Sequence, residues 1–295
     1  MPRILLVEDS EVDQQLVAGL IHNVQGWTLE VATGSQQALD SMNHALPDVV
    51  LSDMALASVD DMRLISQLRE FDQCLPIVLL TSDGNEPMIA QALKMGATSF
   101  SPKSSRPNDL VRTIRHVIEM ARHMQYTHDE NFMPQPEQVA FVLENDLSLI
   151  GPLIERLQKS LPSWSNRDRL QVGMAMDEAL VNAMHHGNLE VCSSLRNVES
   201  GDDAYYEQVQ RRKNESPFRN RRVRFEAEFS DKHICVQISD EGPGFNPSDV
   251  PDPRCEENLQ KLSGRGLFLI RSFMDQVAHN ISGNQITMTK LRQDG

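Results

Sequence analysis

The first half of the chain alternates short apolar runs with segments in which apolar residues recur at helical spacing. Val12, Leu16 and Leu20 show that spacing between the first two runs. An alternation of strands and helices predicts a parallel sheet with helices on both faces. The expected fold class is therefore α/β, beginning with an N-terminal (βα)5 doubly wound parallel sheet. Its five predicted strands are RILLV (3–7), WTLEV (27–31), DVVLS (48–52), PIVLL (76–80) and TSFS (98–101).

The second half follows a different pattern. RVRFEAEFS (222–230) and HICVQISD (233–240) alternate apolar and polar residues at a period of two, which is typical of antiparallel strands half exposed to water. AFVLENDLSLIGPLIERLQKSL (140–161) predicts a strand and an amphipathic helix, and RLQVGMAMDEALVNAMHHG (169–187) predicts a helix rich in Ala and Met. These elements predict a C-terminal α/β sandwich with a mixed, largely antiparallel sheet.

Polar residues and two prolines interrupt the chain in MQYTHDENFMPQPEQ (124–138). Such a composition breaks regular structure and marks a linker. With 295 residues, the chain is long enough for two domains that each bury a core. We therefore expect a first domain over 1–123, a linker over 124–137 and a second domain over 138–295.

Composition disfavours several functional classes. The chain has 28 Lys and Arg residues against 42 Asp and Glu residues, and its formal net charge of −14 disfavours binding to nucleic acid or anionic membrane. The four cysteines are scattered without a CxxC pair, as expected of reduced thiols. No apolar run approaches the ~18 residues of a membrane span, and MPRILLVEDS does not continue as a signal peptide. We expect a cytoplasmic protein with no direct nucleic-acid or membrane partner.

Charged and polar residues follow the predicted strands of the first half. Glu8 and Asp9 follow the first strand, and Asp53, Thr81 and Lys103 follow the third, fourth and fifth. The carboxyl ends of parallel strands meet at one edge of a sheet. Acids gathered there repel one another unless they share a cation such as Mg²⁺, and a lysine opposite them suits a bound phosphate. Alternatively, the acids only cap the helices that follow.

These residues, in VVLSDMAL, LLTS and TSFSPK, make the predicted first domain resemble a two-component receiver domain. The resemblance implies that Asp53 is the phosphoacceptor and that Lys103 pairs with the phosphoryl group. It also implies that Thr81 and Phe100 are the switch residues. The implied Mg²⁺ site consists of Glu8, Asp9, Asp53 and the backbone carbonyl of Ala55.

The sequence departs from the usual receiver pattern near this site. Ser104 follows Lys103 where the family usually has proline after a cis peptide bond, and a cis bond before serine would cost about 2.5–4 kcal/mol. The bond is therefore trans in an altered loop, or the strain is retained. Ala57 and Asp61 stand where proline and glycine are common, which predicts a different loop shape after Asp53.

In the second half, the helix DEALVNAMHHGN (177–188) has one polar edge on an otherwise apolar body. Glu178 and Asn182 lie one turn apart on the same face, where they could hold a ligand. The alternative is a half-exposed helix that Gly187 ends, because glycine is common at C-terminal caps.

Two glycine-rich stretches follow along the chain. DEGPGF (240–245) puts an acid beside glycines, which allow the backbone to approach a flat ligand closely. SGRGLFLIRSFMDQV (263–277) opens an apolar helix, whose first N–H groups can donate to phosphate. Taken singly, each stretch also has a simple interpretation as a tight turn.

Together and in this order, the three stretches resemble the ATP-binding fold shared by histidine kinases, gyrase and the related chaperone. DEALVNA, DEGPGF and GRGLFLIRSFMD are most similar to the anti-sigma-factor serine kinases. The resemblance implies that Asn182 coordinates a Mg²⁺ ion bridging the ATP phosphates, that Asp240 accepts from the adenine amino group, and that Glu178 is the general base. The other residues implied at the ATP site are Gly242, Gly244, Gly264, Gly266 and Arg265, of which the arginine either reaches a phosphate or lies exposed in the lid.

The connection between the Asn-bearing helix and the next strand, 190–222, is longer than such connections usually are. Its acids precede a basic cluster, which suits either a solvated helix with complementary charges or a surface where a partner docks. His185 and His186, just before it, are more often structural than ligands at a helix end and receive no assigned role. The acids are Glu199, Asp202, Asp203 and Glu207, and the bases are Arg211, Arg212, Lys213, Arg219, Arg221 and Arg222.

We predict a response regulator in which phosphorylation of Asp53 by an upstream histidine kinase controls an ATP-binding, serine-kinase-like domain. The resemblance implies that this domain uses Mg²⁺ and ATP, acts on an anti-sigma antagonist or a sigma factor, and forms a homodimer. The alternative is a non-catalytic response regulator that sequesters a partner when ATP is bound. A transcription factor is disfavoured because no basic recognition helix follows the first domain, and a histidine kinase is disfavoured because no acceptor hairpin is predicted.

Overall fold

The computed structural model forms two compact units, Met1–Tyr126 and Thr127–Gly295, each with its own sheet. Within the described residues, no helix combines the length and the apolar character needed to cross a membrane. The residues that the structure describes are 1–53, 59–81, 86–104, 107–125, 137–161, 164–192, 195, 201–230, 232–246 and 265–292.

The first unit has the predicted α/β fold with strands and helices in alternation. The strands are β1 (Arg3–Val7), β2 (Thr28–Ala32), β3 (Val49–Asp53), β4 (Ile77–Thr81) and β5 (Ser99–Pro102). The helices are α1 (Glu11–His22), α2 (Ser35–His44), α3 (Val59–Phe71), α4 (Glu86–Met95) and α5 (Pro107–Gln125). All strand pairs are parallel, in the order β2-β1-β3-β4-β5. Strands β2 to β5 lie one residue further along the chain than predicted.

Burial explains why this sheet brings polar residues to one edge. Strands β3 and β4 are buried at every position, as expected where helices cover both faces of a parallel sheet. Asp53 is the last residue of β3, and Thr81 is the last residue of β4. The apolar run of each strand therefore fixes where its terminal polar side chain lies.

The second unit is built on a separate antiparallel sheet. Its strands are β6 (Glu137–Leu143), β7 (Val223–Phe229), β8 (His233–Ser239), β9 (Gln276–His279) and β10 (Gln285–Leu291). Its helices are α6 (Ile150–Gln158), α7 (Asn166–Val181), a π-helical segment (Asn182–Asn188), α8 (Gly201–Asn214) and α9 (Arg265–Phe273), with 3₁₀ turns at Leu147–Leu149 and Phe218–Asn220. The order is β6-β7-β8-β10-β9, and the four described pairings are all antiparallel, where the sequence predicts a mixed, largely antiparallel sheet.

The predicted sandwich is observed in this unit. In β7, Phe225 and Phe229 are buried whereas Arg224 and Glu228 are exposed, so one face of the sheet is covered. Helices α6, α7 and α9 pack together, and α7 contacts β8. This helical layer carries the first and third predicted motifs, and the loop after β8 carries the second.

The helix predicted over 169–187 differs from the observed one at both ends. Helix α7 begins at Asn166, because the Ser165 hydroxyl caps it by accepting from the Asp168 N–H at 3.0 Å. The chain does not end its helical path at Gly187, so the helix-ending alternative is wrong. It continues through the π-helical segment, whose C-cap is Leu189 at a φ of −87°. Single π-helical turns are rare in proteins, and those that occur often lie at functional sites.

Candidate functional site

The carboxylates predicted at the sheet edge of the first unit lie together. Glu8 follows β1, and Asp53 ends β3. One oxygen from each of Glu8, Asp9 and Asp53 lies within 4.8 Å of the others. Glu8 and Asp53 are buried, whereas Asp9 is exposed. Three carboxylate oxygens of this kind fit a Mg²⁺ ion that keeps part of its water shell.

Lys103 bridges this cluster to a further acid. Its Nζ lies 2.9 Å from an oxygen of Glu8, 2.9 Å from one of Asp53 and 2.5 Å from one of Asp13. Burial lowers the pKa of the ammonium, but the hydrogen bonds to Asp13, Asp53 and Glu8 outweigh that effect and hold the pKa of Lys103 above its usual range. Asp13 is absent from the predicted set, because its contact with Lys103 depends on how α1 lies against the sheet edge.

Thr81 and Phe100 lie on the neighbouring strands β4 and β5 and are buried. The N–H of Lys103 donates to the Thr81 carbonyl at 2.7 Å, which ties the start of the next loop to the end of β4. The structure therefore brings Thr81 and Lys103 to the same edge as the acids.

The predictions about the surrounding loops have different outcomes. The cis peptide bond among the described residues is Ser216–Pro217, so the bond between Lys103 and Ser104 is trans. Ala55 and Ala57 lie outside the described residues, and Asp61 lies within α3. The proposed loop shape after Asp53 stays a prediction.

The first and third motifs of the second unit meet where α7 and α9 pack together. Glu178 lies in the last turn of α7, and Asn182 begins the π-helical segment. A Cβ on Gly266 would lie 2.6 Å from Glu178 Oε2 and 3.4 Å from Asn182 Nδ2, so a glycine lets α9 begin beside both side chains. Gly264 lies outside the described residues, as does the side chain of Arg265, the first residue of α9.

Asp240 follows β8 and lies against the π-helical segment. A Cβ on Gly187 would lie 2.3 Å from Asp240 Cγ, and a Cβ on Gly242 would lie 2.2 Å from the Gly187 carbonyl oxygen. Glycine is needed at both positions for the two backbones to approach so closely. Burial raises the pKa of the Asp240 carboxyl to about 6, although the Gly242 N–H hydrogen bond and the charge of Arg221 act to lower it. A partly buried acid of this kind in a glycine-lined site is a candidate for ligand recognition.

Gly244 fixes the loop after β8 to the turn between β9 and β10. Its φ is +71°, and a Cβ there would lie 1.9 Å from the Ser282 carbonyl oxygen. Gly283 has the same φ of +71°, and its Cβ would lie 1.9 Å from the Phe245 carbonyl oxygen. The Phe245 N–H donates to the Ser282 carbonyl at 3.2 Å. The two turns therefore pack closely together, because a glycine in each turn lies against a backbone carbonyl of the other.

Two asparagines absent from the predicted set, Asn188 and Asn284, hold the same loop, and a third, Asn145, holds Asn188. Asn188 is fully buried, accepts from the Glu241 N–H at 2.7 Å and donates to Asn145 Oδ1 at 2.8 Å. The Asn284 carbonyl accepts from the Asp240 N–H at 2.9 Å, and its amide donates to the Asp240 carbonyl at 3.1 Å. A buried amide leaves no periodic signal in a sequence, so these residues could not be identified from the pattern of apolar positions.

Comparison with known families gives a match in each half. The family described as histidine kinase-like ATPase domain matches residues 143–290, which is half of the chain. The family described as response regulator receiver domain matches residues 4–115.

The curated relatives are bacterial regulators. The chain is 30% identical over 128 residues to the transcriptional regulatory protein TrcR of Mycobacterium tuberculosis, covering 43% of this chain and 49% of that protein. It is 32% identical over 122 residues to the C4-dicarboxylate transport transcriptional regulatory protein DctD of Pseudomonas aeruginosa, which covers 41% of this chain and 26% of that protein. It is 29% identical over 144 residues to the transcriptional regulatory protein CpxR of Escherichia coli, covering 48% and 61%. The chain thus spans less than two thirds of each relative.

Solved structures also match part of the chain. NtrX from Brucella abortus is 25% identical, with a TM-score of 0.40 and coverage of 42% of this chain and 28% of that chain. A response regulator from Thermotoga maritima is 20% identical, with a TM-score of 0.38 and coverage of 40% and 98%.

Proposed function

Because the chain belongs to the histidine kinase-like ATPase domain family and also carries a response regulator receiver domain, we propose that it is a phosphorylation-controlled, ATP-binding switch. The two domains together support a two-component response regulator, and a receiver domain implies an upstream phosphodonor such as a histidine kinase. One observation supports ATP binding by the second domain. The π-helical segment begins with Asn182, which lies beside Glu178 and Gly266, and Gly187 near its end contacts Asp240.

In the receiver domain, Asp53 is the proposed phosphoacceptor. Lys103 would hold a phosphoryl oxygen, since its ammonium already lies 2.9 Å from Asp53. A bound Mg²⁺ ion would neutralise charge on the transferring group. The residues proposed to hold it are Glu8, Asp9, Asp53 and the carbonyl of Ala55. Thr81 and Phe100, on the adjoining strands, are the proposed switch residues.

In the second domain, the proposed ligand is ATP with Mg²⁺. Asp240 would accept from the adenine amino group, and the glycines at 242 and 244 would let the ring approach the backbone. Asn182 would coordinate the metal that bridges the phosphates. Gly264, Arg265 and Gly266 are proposed to donate backbone N–H groups to the phosphates, the last two from the start of α9.

The finer proposal is that this domain phosphorylates serine on a partner protein. Glu178 lies one helical turn before Asn182, so it could orient a hydroxyl toward a phosphate held by the metal. The partner would be an anti-sigma antagonist or a sigma factor, as in the kinases that the three motifs resemble. Phosphorylation of Asp53 would change the output of this domain.

The test uses the full chain, Mg²⁺ and labelled ATP with an anti-sigma antagonist as the protein substrate. Glu178→Gln should abolish transfer while calorimetry shows unchanged affinity for Mg-ADP, and Glu207→Gln, an exposed acid on α8, is the matched control. Full transfer by Glu178→Gln would remove the catalytic role of that residue. If Glu178→Gln still controls the partner, the chain is instead a sequestering regulator. A wild-type chain that binds neither ADP nor ATP would overturn the whole proposal.

Control by the receiver is tested in the same assay. Treatment with acetyl phosphate should change the transfer rate or the nucleotide affinity of the wild-type chain, and Asp53→Asn should abolish that response. The same response in Asp53→Asn would show that the effect does not pass through Asp53.

A further inference from the structure

The long connection after the π-helical segment folds into a small core of its own. Tyr205 of α8 is fully buried, and its hydroxyl lies 2.9 Å from Nδ1 of His185, which is 2% exposed. Leu189, Val191 and Val209 are buried against Tyr205. The described part of the connection is therefore packed onto the segment that carries Asn182 and Gly187, and His185 is one of the contact residues.

Basic residues of the connection bind backbone carbonyls at the end of the π-helical segment. Arg212 Nη1 donates to the carbonyls of Leu189 and Glu190 at 2.6 and 2.5 Å. Arg221 Nη1 donates to the Asn188 carbonyl and to Glu190 Oε1, both at 2.7 Å. The last carbonyls of a helix have no partner within the helix, so the two arginines cap the segment.

These contacts differ from the complementary charges expected along a solvated helix. Within the described residues, Arg211 contacts Glu215 and Lys213 contacts Asp146, rather than the acids Asp203 and Glu207. The described basic residues Arg212 and Arg221 instead contact the backbone carbonyls of Asn188, Leu189 and Glu190, where the helical path ends.

We propose that the described residues of the connection (190–192, 195 and 201–222), here called the brace, position the nucleotide site by fixing the π-helical segment. Tyr205 acts through His185, and Arg221 acts through the carbonyl of Asn188, the last residue of the segment. The inference rests on the proposed binding of ATP. His185 lies between Asn182 and Gly187, so a displacement of its backbone moves the proposed metal contact and the contact with Asp240 together.

The far end of the segment is fixed from the other side. The Asn188 side chain accepts from the Glu241 N–H, in the loop that carries Asp240. The segment therefore lies between the brace and the nucleotide loop, and loss of the contact between Tyr205 and His185 removes one of the restraints on the brace side. We expect the folded protein to bind nucleotide more weakly when that contact is lost.

The first test is Tyr205→Phe in the full chain, which removes the hydroxyl and keeps the ring. The affinity for Mg-ADP, measured by calorimetry at a temperature where circular dichroism shows a folded protein, should fall about tenfold. The matched control is Tyr206→Phe, which makes the same chemical change on the neighbouring tyrosine, whose side chain is 40% exposed. That variant should bind as the wild type does.

Two further measurements separate positioning from a purely structural role. The preference for ADP over GDP reports on Asp240, and the Mg²⁺ dependence of ADP affinity reports on Asn182; both should decrease in Tyr205→Phe. His185→Asn, which keeps a polar group near the position of Nδ1, should retain more affinity than His185→Leu. A structural role alone would lower the free energy of unfolding and leave these ratios unchanged.

The outcomes distinguish the inference from the function on which it rests. If the wild type binds Mg-ADP and Tyr205→Phe binds it equally well with the same base preference, the brace does not position the site, and the proposed function stands. If the wild type binds neither ADP nor ATP, both are overturned.

Discussion

Gly187 lies so close to the Asp240 carboxyl that a Cβ at position 187 would come within 2.3 Å of Cγ and 2.5 Å of Oδ1. The two residues belong to different motifs, one on a helix and one after a strand. Their contact joins the segment that begins with Asn182 to the loop after β8. The proposed metal and adenine contacts are therefore connected by one segment of 7 residues.

Gly187→Ala is expected to weaken the binding of Mg-ADP by at least about tenfold. The added methyl group must displace the Asp240 carboxyl or the loop that carries it, and that loop is held by hydrogen bonds to Asn188 and Asn284. Calorimetry on the full chain measures the effect. Gly19→Ala is the control, because a Cβ there meets nothing within 4 Å and alanine favours a helix. An unchanged affinity in Gly187→Ala would show that Asp240 does not need this position.

The role of Gly187 illustrates where sequence reasoning stops. The motif predicts a helix with Glu178 and Asn182 on one face, and the structure has both beside Gly266. A glycine after such a helix most often ends it, because local propensity is the only information that the sequence supplies there. What requires Gly187 is Asp240, a residue brought near by tertiary packing.

The fold was more predictable than the environment of the sites. Continuous apolar runs and period-two alternation identify strands locally, so the first sheet and strands β6, β7 and β8 of the second follow from the sequence, whereas β9 and β10 were not predicted. Contacts such as that between Tyr205 and His185 join residues whose types carry no periodic signal. Asp13 is similar, because its contact with Lys103 depends on how α1 is oriented against the sheet edge. Both pairs are visible only once the chain is folded.

The affinity for nucleotide should depend on pH through Asp240. Burial raises the pKa of this carboxyl to about 6, and the ionised form is the one that accepts from the adenine amino group. Below that pH, each unit of acidification should weaken Mg-ADP binding by up to about tenfold, because protonation competes with the ligand. Calorimetry between pH 5 and 7.5 measures this effect, and a flat profile in the wild type would contradict it. Asp240→Asn, which cannot ionise, should show little dependence over the same range.

The same pKa shift has a consequence for the ligand-free protein. The folded state holds the Asp240 proton more tightly than the unfolded state, in which the carboxyl has its ordinary pKa of 3.8. The contribution of this group to the free energy of unfolding should therefore rise as pH falls from about 6 toward 3.8. Urea denaturation of the wild type and Asp240→Asn across this window isolates the effect as a difference between the two proteins.

Asp13→Asn should increase phosphorylation of the receiver domain by acetyl phosphate. Lys103 contacts three carboxylates, and Asp13 competes with the proposed phosphoryl group for its ammonium. The Asp13 side chain is 31% exposed, so the gain is limited to about 1 kcal/mol, or roughly a fivefold rise in the ratio of phosphorylated to free protein. Mass spectrometry of the intact chain at limiting acetyl phosphate measures this ratio. Glu11→Gln, an exposed acid on the same helix, should leave the ratio unchanged, and an equal or lower ratio in Asp13→Asn would contradict the competition.

Arg69 should be a major contributor to the stability of the receiver domain. Its guanidinium is buried and donates to the Gly96 carbonyl through Nε at 3.0 Å and through Nη2 at 2.5 Å, and to the Leu75 carbonyl through Nη1 at 2.5 Å. Arg69→Met keeps much of the side-chain volume but leaves these carbonyls without that donor, so it should lower the free energy of unfolding by about 3 kcal/mol. Arg122→Ala is the control: its ion pair with Asp48 is exposed and should contribute less than about 1 kcal/mol.

Gly96→Ala tests the same contact from its other side. Gly96 has a φ of +125°, and a Cβ there would lie 2.9 Å from Arg69 Nε. The substitution strains the backbone and also displaces the guanidinium, so it should destabilise the domain by about 2–3 kcal/mol. Hydrogen exchange in urea, followed at the amides of β4 and β5, separates this transition from that of the second domain. Both substitutions disrupt the same contact between Arg69 and Gly96. The double variant should therefore lose less free energy of unfolding than the sum of the losses in the two single variants. Additive losses would show that the arginine and the glycine stabilise the domain independently.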